Sequence, residues 1–298
     1  MHYRSDSGNT KKSLPTDGVY YIVDEPMLID TEKEVLIGTT AEKVIRTAAE
    51  IYEVDPLHPT LITGYPVIGQ FYSFYIYGET TDIFAIAPYS MIFQCREPEK
   101  NSDYLAQAKL ASQPKLVWFI PEAFTYKGSR FPTPEEERIN VYSAIGRGAK
   151  GIWYYVYDKE IGYPANKALE EEIGKINRQL QMLKEYIVIS EPVSFSKVMI
   201  EKVTPYTLLC GDRAIILILV NNDYQSNFKQ DQIPFSCNPK QNFEVCLEIP
   251  RWLKVKQVKE IWQGGREVPY LFDEGGHLLL SIENFDITKQ FLIVVERR

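Results

Sequence analysis

Two glutamates stand where short apolar runs give out. GVYYIVDEP carries Asp24, Glu25 and Pro26 directly after four strand-forming residues, and PKLVWFIPE ends on Glu122, between Pro121 and Ala123. Three similar runs, PTLITGY, TDIFAIAPY and GIWYYVYD, deliver Tyr65, Tyr89, and Trp153 with Asp158. Two carboxylates brought in by separate strands can divide one reaction between them. One acid, kept protonated, donates to a leaving oxygen while the other attacks or activates water. That is the chemistry of cleaving a glycosidic bond, and it needs a sugar-sized gap between the acids. Aromatic faces beside them would stack on sugar rings. Each residue also has a plainer reading. Asp-Glu-Pro after a strand makes a turn, with Asp capping and Pro blocking helix extension. Asp158 serves equally as a loop cap, and aromatics pack cores. Glu122 has fewer structural roles, because a strand-end acid among apolar residues is costly unless used or paired.

The elements that must position these residues follow a simple grammar from Gly18 to about Ile189. The five runs are short and nearly continuous in apolar character, as expected of parallel strands covered on both faces. Between the first two, Thr39 and Glu42 predict a capping box, with Val44, Ile45, Ala48, Ala49 and Tyr52 on one helix face. FPTPEEERINVYSAIGRGAKG predicts a helix with Thr133 as N-cap, Pro134 first and Glu136 returning, ended by Gly146 and Gly148. ANKALEEEIGKINRQLQMLKEYI predicts a last helix, with Leu169, Ile173, Ile176, Leu180 and Leu183 on one side. Tyr65, Phe71, Tyr72, Phe74, Tyr75 and Tyr77 read as cleft lining or as a short docked helix. Strand followed by helix, five times over, is βαβ logic.

After Ile189 the pattern changes. SFSKVMIEKV, RAIILILVNN, NFEVCLEIP, VKQVKEIWQ, HLLLSIEN and QFLIVVE are short strands separated by turn signals, with no helix between them, as in an antiparallel sandwich. The boundary falls near Ser190-Glu191-Pro192, giving expected domains 1–189 and 190–298. The first domain has two possible architectures: a complete doubly wound sheet, or the last five strands of an eight-stranded barrel whose first three strand–helix units are absent. No Gly-rich phosphate loop follows any strand.

Bulk properties narrow the partners. The 298 residues are 45% hydrophobic and 24% charged with net charge −7, and no basic block stands out, which disfavours nucleic acid and anionic membranes. No apolar run is long enough to span a bilayer. Cys95, Cys210, Cys237 and Cys246 lack CxxC spacing and only three His accompany them, so no metal site or other cofactor is expected. His58, in DPLHPT, reads as structural. The polar N-terminus lacks the apolar core of a secretory signal.

The strand-end pattern resembles the second part of a clan A glycoside hydrolase, a retaining enzyme on a (β/α)8 barrel. Counted back from GIWYYVYD, PKLVWFIPE matches the seventh strand and GVYYIVDEP the fourth. The resemblance implies an α/β plus all-β chain, a partial TIM barrel followed by a C-terminal β-sandwich. It implies Glu25 as acid/base, Glu122 as nucleophile, Tyr89 as the tyrosine that hydrogen-bonds the nucleophile, and Trp153 or Tyr155 as aromatic floor. Asp24 stands where the clan usually has Asn, the residue that contacts the sugar 2-hydroxyl. DEP…GAKGI looks most like a bacterial branch of barrel hydrolases. The implied substrate is an oligosaccharide, polysaccharide or glycoside. The implied partner is the missing barrel half, from the same or a neighbouring polypeptide. Any signal peptide would belong to that half, making the protein secreted or periplasmic, and otherwise cytoplasmic.

Overall fold

The computed structural model describes residues 18–30, 35–36, 38–66, 71–89, 97–126, 129–227 and 233–298; Cys95 lies outside them. By internal contacts the chain forms two compact units interleaved in sequence. One comprises Met1–Pro88, Asp103–Ile120 and Ala149–Trp153, the other Tyr89–Ser102, Pro121–Gly148 and Tyr154–Arg298.

The first unit holds five parallel strands: β1 (Tyr20–Val23), β2 (Thr60–Gly64), β3 (Ile83–Ile86), β4 (Leu116–Phe119) and β5 (Gly151–Ile152). They lie in the sheet in chain order, β1-β2-β3-β4-β5, with no reversal. A doubly wound sheet reverses its order at a switch point, so this sheet is not of that kind. Leu61 pairs with Ile83, Ile83 with Leu116, and Trp118 with Gly151. β2 and β3 are buried at every residue, whereas β1 and β5, at the two edges, are half-buried. Gly151 is required by packing: a Cβ there would come 2.8 Å from the indole of its partner Trp118.

Helices α1 (Ala41–Val54), α2 (Tyr72–Tyr77) and α3 (Asn101–Ser112) connect β1 to β4. The N-cap of α1 is Thr40, whose hydroxyl accepts from the Lys43 amide, one residue later than the Thr39 expected from the capping-box spacing. Of the predicted apolar face only Val44 is buried; Ile45 is 53% and Tyr52 66% exposed. The aromatic run resolves as the short helix: Phe74 and Tyr77 are buried in it while Tyr72 and Tyr75 face outward.

In the second unit, α4 (Pro134–Gly146) carries the predicted capping box in full, Thr133 and Glu136 each bonding the other's backbone amide. Nearly every residue of α4 is buried, including Glu136, Glu137 and Arg138. α5 (Lys167–Ile189) starts on the Asn166 cap and buries Leu169, Ile173, Ile176 and Leu183. Arg138 reaches from α4 to α5, its Nε 2.5 Å from Glu172 Oε1 and its Nη1 2.9 Å from Gln179 Oε1.

The rest of this unit is antiparallel. The ten strands of its two larger sheets are β6 (Glu191–Val193), β7 (Ser196–Val198), β8 (Val203–Cys210), β9 (Ala214–Asn221), β10 (Lys240–Leu247), β11 (Leu253–Glu260), β12 (Arg266–Glu267), β13 (Leu271–Phe272), β14 (Leu278–Phe285) and β15 (Thr288–Arg297). One sheet has the order β12-β11-β15-β9-β8-β6, the other β13-β14-β10-β7. A single apolar core draws Ile215, Leu217 and Leu219 from the first sheet and Val245, Leu247 and Leu280 from the second. β9 is buried at all eight residues. Its odd-numbered side chains face that core, while the even-numbered ones face the other way, and α4 contacts this strand. Both faces of an antiparallel strand are thus covered, which explains the unbroken apolar run AIILILV. Among the described residues no helix is long and apolar enough to cross a membrane.

Candidate functional site

Glu25 sits two residues beyond β1, with backbone φ of 42°. Left-handed backbone at a non-glycine residue costs on the order of 1 kcal/mol and concentrates at functional sites. Thr63, buried on β2, holds the turn together. Its hydroxyl accepts from the Glu25 amide at 2.9 Å and donates to Asp24 Oδ1 at 2.5 Å. Tyr21 donates to the same Asp24 oxygen at 2.6 Å, and its ring meets Trp153 edge-on at 5.8 Å between centroids. The Glu25 carboxyl is raised to about 7, first by burial and then by the negative charge of Asp24. Tyr65 follows β2 directly and is half-buried. Sequence reading missed this contact of Thr63 with the Asp24–Glu25 turn, since an internal strand threonine carries no signal of its own.

Glu122 lies three residues past β4 and is fully buried. It forms a parallel bridge with Tyr155, and the neighbouring Ala123 amide bonds the Tyr155 carbonyl at 2.9 Å. Tyr155 also joins an aromatic cluster. Its ring is 6.1 Å from Tyr89 and 5.2 Å from Phe124, and Tyr89 and Phe124 meet at 5.3 Å. Tyr89 has backbone φ of 38°, left-handed like Glu25. Glu25, Asp24, Tyr65 and Trp153 therefore belong to the first unit, and Glu122, Tyr89 and Tyr155 to the second.

A second buried acid was not foreseen. Glu137, in the first turn of α4, is fully buried, and neither of its carboxyl oxygens has a hydrogen-bond partner among the described residues. Burial first, then the charges of Glu122 and Glu136, push its carboxyl well above the usual range. Glu136 beside it is also buried but paired, accepting from Arg130 Nη2 at 2.6 Å and Nη1 at 2.7 Å. A cavity of about 400 Å³ elsewhere in this unit is lined by Arg138, Glu172, Trp262, Asp286 and Lys289 among others, and by none of the predicted site residues.

No protein-family model matches the chain, and no curated protein sequence matches it. Solved structures do. A cycloisomaltooligosaccharide glucanotransferase from Paenibacillus sp., complexed with cycloisomaltoheptaose, superimposes with TM-score 0.60 at 8% identity, over 86% of this chain and 59% of that one. A GH27 β-L-arabinopyranosidase from Geobacillus stearothermophilus, in complex with arabinose, gives TM-score 0.50 at 10% identity, over 93% and 58%. The fold is glycoside hydrolase-like. The chain spans about three fifths of the length of either protein. At such identities the likeness is one of fold alone.

Proposed function

We propose that the protein is a retaining glycoside hydrolase that cleaves O-glycosidic bonds of a carbohydrate by double displacement. Glu25 is the acid/base and Glu122 the nucleophile. The observation that carries this reading is the state of Glu25: a strand-end carboxyl raised to about 7 keeps its proton near neutral pH and can also take one back. In the first step Glu25 protonates the leaving oxygen as Glu122 attacks the anomeric carbon, breaking the glycosidic bond and forming a glycosyl ester. In the second, Glu25 takes a proton from water, which displaces Glu122 and releases the sugar with retention. Trp153 and Tyr155 supply stacking faces, Tyr65 lines the cleft, Tyr89 orients Glu122, and Asp24 contacts the sugar hydroxyl beside the cut.

In this reading the parallel strands are the fourth to eighth of a (β/α)8 barrel, and residues 190–298 are a β-sandwich domain. The unreversed strand order supports a barrel. The half-buried edge strands and the exposed Ile45 and Tyr52 support further strand–helix units beside them, from the same or a neighbouring polypeptide.

The test is a panel of aryl glycosides and oligosaccharides with the anomeric product followed by NMR. A retained product, and a loss of more than about 10⁴-fold in kcat for Glu122→Gln, are expected. Inverted product or normal turnover by Glu122→Gln ends the proposal. A chain that binds oligosaccharides but cleaves none supports a non-catalytic carbohydrate-binding role instead.

A further inference from the structure

Sequence spacing gave no hint of a metal centre, yet the second unit brings a thiol, a carboxylate and an imidazole to one spot on its four-stranded sheet. On β10, Phe243, Val245 and Leu247 face the core, so Cys246 between them faces outward and is half-buried. Its neighbours in register are Leu279 on β14 and Lys197 on β7. The turn joining β13 to β14 supplies the other two donors.

That turn is tightly built. The Asp273 amide bonds the His277 carbonyl at 3.0 Å, and the Gly276 amide bonds the Asp273 carbonyl at 3.0 Å. Gly276 has φ of +80°, a backbone state open to glycine at little cost. The Asp273 carboxylate then clamps the far end of the turn. One oxygen accepts from the His277 amide at 2.8 Å, and the other lies 2.8 Å from His277 Nδ1. One ligand atom from each of Cys246, Asp273 and His277 lies within 4.8 Å of the other two.

We propose that Cys246, Asp273 and His277 form a binding site for a zinc-class divalent cation, with water in the fourth position. A tetrahedral zinc with bonds of about 2.0 to 2.3 Å holds its donors about 3.3 to 3.6 Å apart. From separations of at most 4.8 Å, reaching that geometry needs inward side-chain shifts of at most about 1.5 Å, with the 2.8 Å contact between Asp273 and His277 Nδ1 widening by about 0.5 Å. The donor set discriminates: a thiolate and an imidazole suit zinc, cobalt or copper and disfavour magnesium and calcium.

Binding replaces the thiol proton by the metal, so one proton leaves for each ion bound. Burial and the charge of Asp273 push the Cys246 thiol up, Glu244 adds to that, and Lys197 opposes it. Asp273 is already ionised, its carboxyl held low chiefly by the bond from His277.

The test uses the full chain, stripped with a chelator and titrated with Co²⁺ and then Zn²⁺. One equivalent should bind, with a thiolate-to-cobalt charge-transfer band and the intense visible bands of four-coordinate cobalt, displaced by zinc. Cys246→Ser should abolish the charge-transfer band, and His277→Ala should weaken binding at least about tenfold. Cys237→Ser, outside the cluster, should change neither. Both substitutions in the cluster are on the outward face, and circular dichroism checks that the fold survives. No stoichiometric binding, or binding and spectrum unchanged in both Cys246→Ser and His277→Ala, overturns the site.

Discussion

The two strand ends that carry glutamates make opposite settings from the same side chain. Around Glu25 the surroundings are polar and partly open. Asp24 is exposed, its carboxylate takes hydrogen bonds from Tyr21 and Thr63, and Glu25 itself is half-buried. Around Glu122 they are closed. The glutamate is fully buried beside Tyr155, and the nearby acid Glu137 has both carboxyl oxygens unbonded among the described residues. Environment, not residue type, divides labour between paired carboxylates. Here it gives the first strand end a carboxyl raised to about 7, and it gives the second a buried acid neighbour pushed well above the usual carboxylate range.

The strongest test of that division is Glu25→Gln. If Glu25 is the acid, the substitution should lower kcat/KM by about 10² to 10⁴-fold on substrates with poor leaving groups. Substrates whose leaving group needs no protonation should be affected much less in the first step. The wild-type profile should fall as pH rises through about 7, because the acid must carry its proton, and Glu25→Gln should lose this limb. A limb that survives in Glu25→Gln would assign the titration to another group and erase the contrast between the two ends.

A smaller effect probes the closed end through stability. Glu137 has a folded-state carboxyl raised above its unfolded value, chiefly by burial. Above about pH 4.5 the unfolded chain releases this proton while the native chain keeps it. The native state therefore binds more protons, and unfolding free energy falls with pH by at most about 1.4 kcal/mol per unit. Stability from this group is full below the unfolded value and is lost as pH rises towards the folded one. Glu137→Leu, which also removes two unbonded buried oxygens, should flatten that slope and stabilise by about 1 to 3 kcal/mol at pH 7. Denaturant midpoints across pH 4 to 8 measure it. An unchanged slope would mean that Glu137 is solvated or paired, and that the second end is not closed.

How much of this was legible depended on how local the cause was. Thr133, Pro134 and Glu136 announced α4 because a capping box is written within four residues. The five parallel strands showed in their apolar runs. Their order did not, since a doubly wound sheet and a barrel use the same runs and differ only in pairing. β8 escaped notice because Pro205 interrupts VTPYTLLC. Proline is tolerated there because β6 pairs only with Thr207 to Leu209, leaving no strand partner on that side at Pro205 among the described residues. The face expected on α1 failed for the reverse reason: helical spacing marks which residues share a side, not what covers it, and Ile45 and Tyr52 remain exposed. The burial of Glu137, and the meeting of Cys246 with a turn almost thirty residues later, arise wholly from tertiary packing, so no spacing rule could display them.

Asp24 offers the finest adjustment of the contrast, because it is the charge that makes the Glu25 end polar. Burial is the main reason that Glu25 is raised, and the Asp24 carboxylate is the second. Asp24→Asn keeps an oxygen to accept from Tyr21 and Thr63 while removing the charge. Ionised Glu25 is then free of the like charge of Asp24, so its carboxyl falls below about 7 but stays above its ordinary value, held there by burial. The descending limb of the kcat/KM profile should accordingly move to lower pH by less than about one unit, with the rate on the acid side of that limb little changed. A shift of the limb upward would contradict the sign of a like-charge interaction. No shift at all would mean that Asp24 does not act on Glu25 through its charge, and that the turn alone sets the acid.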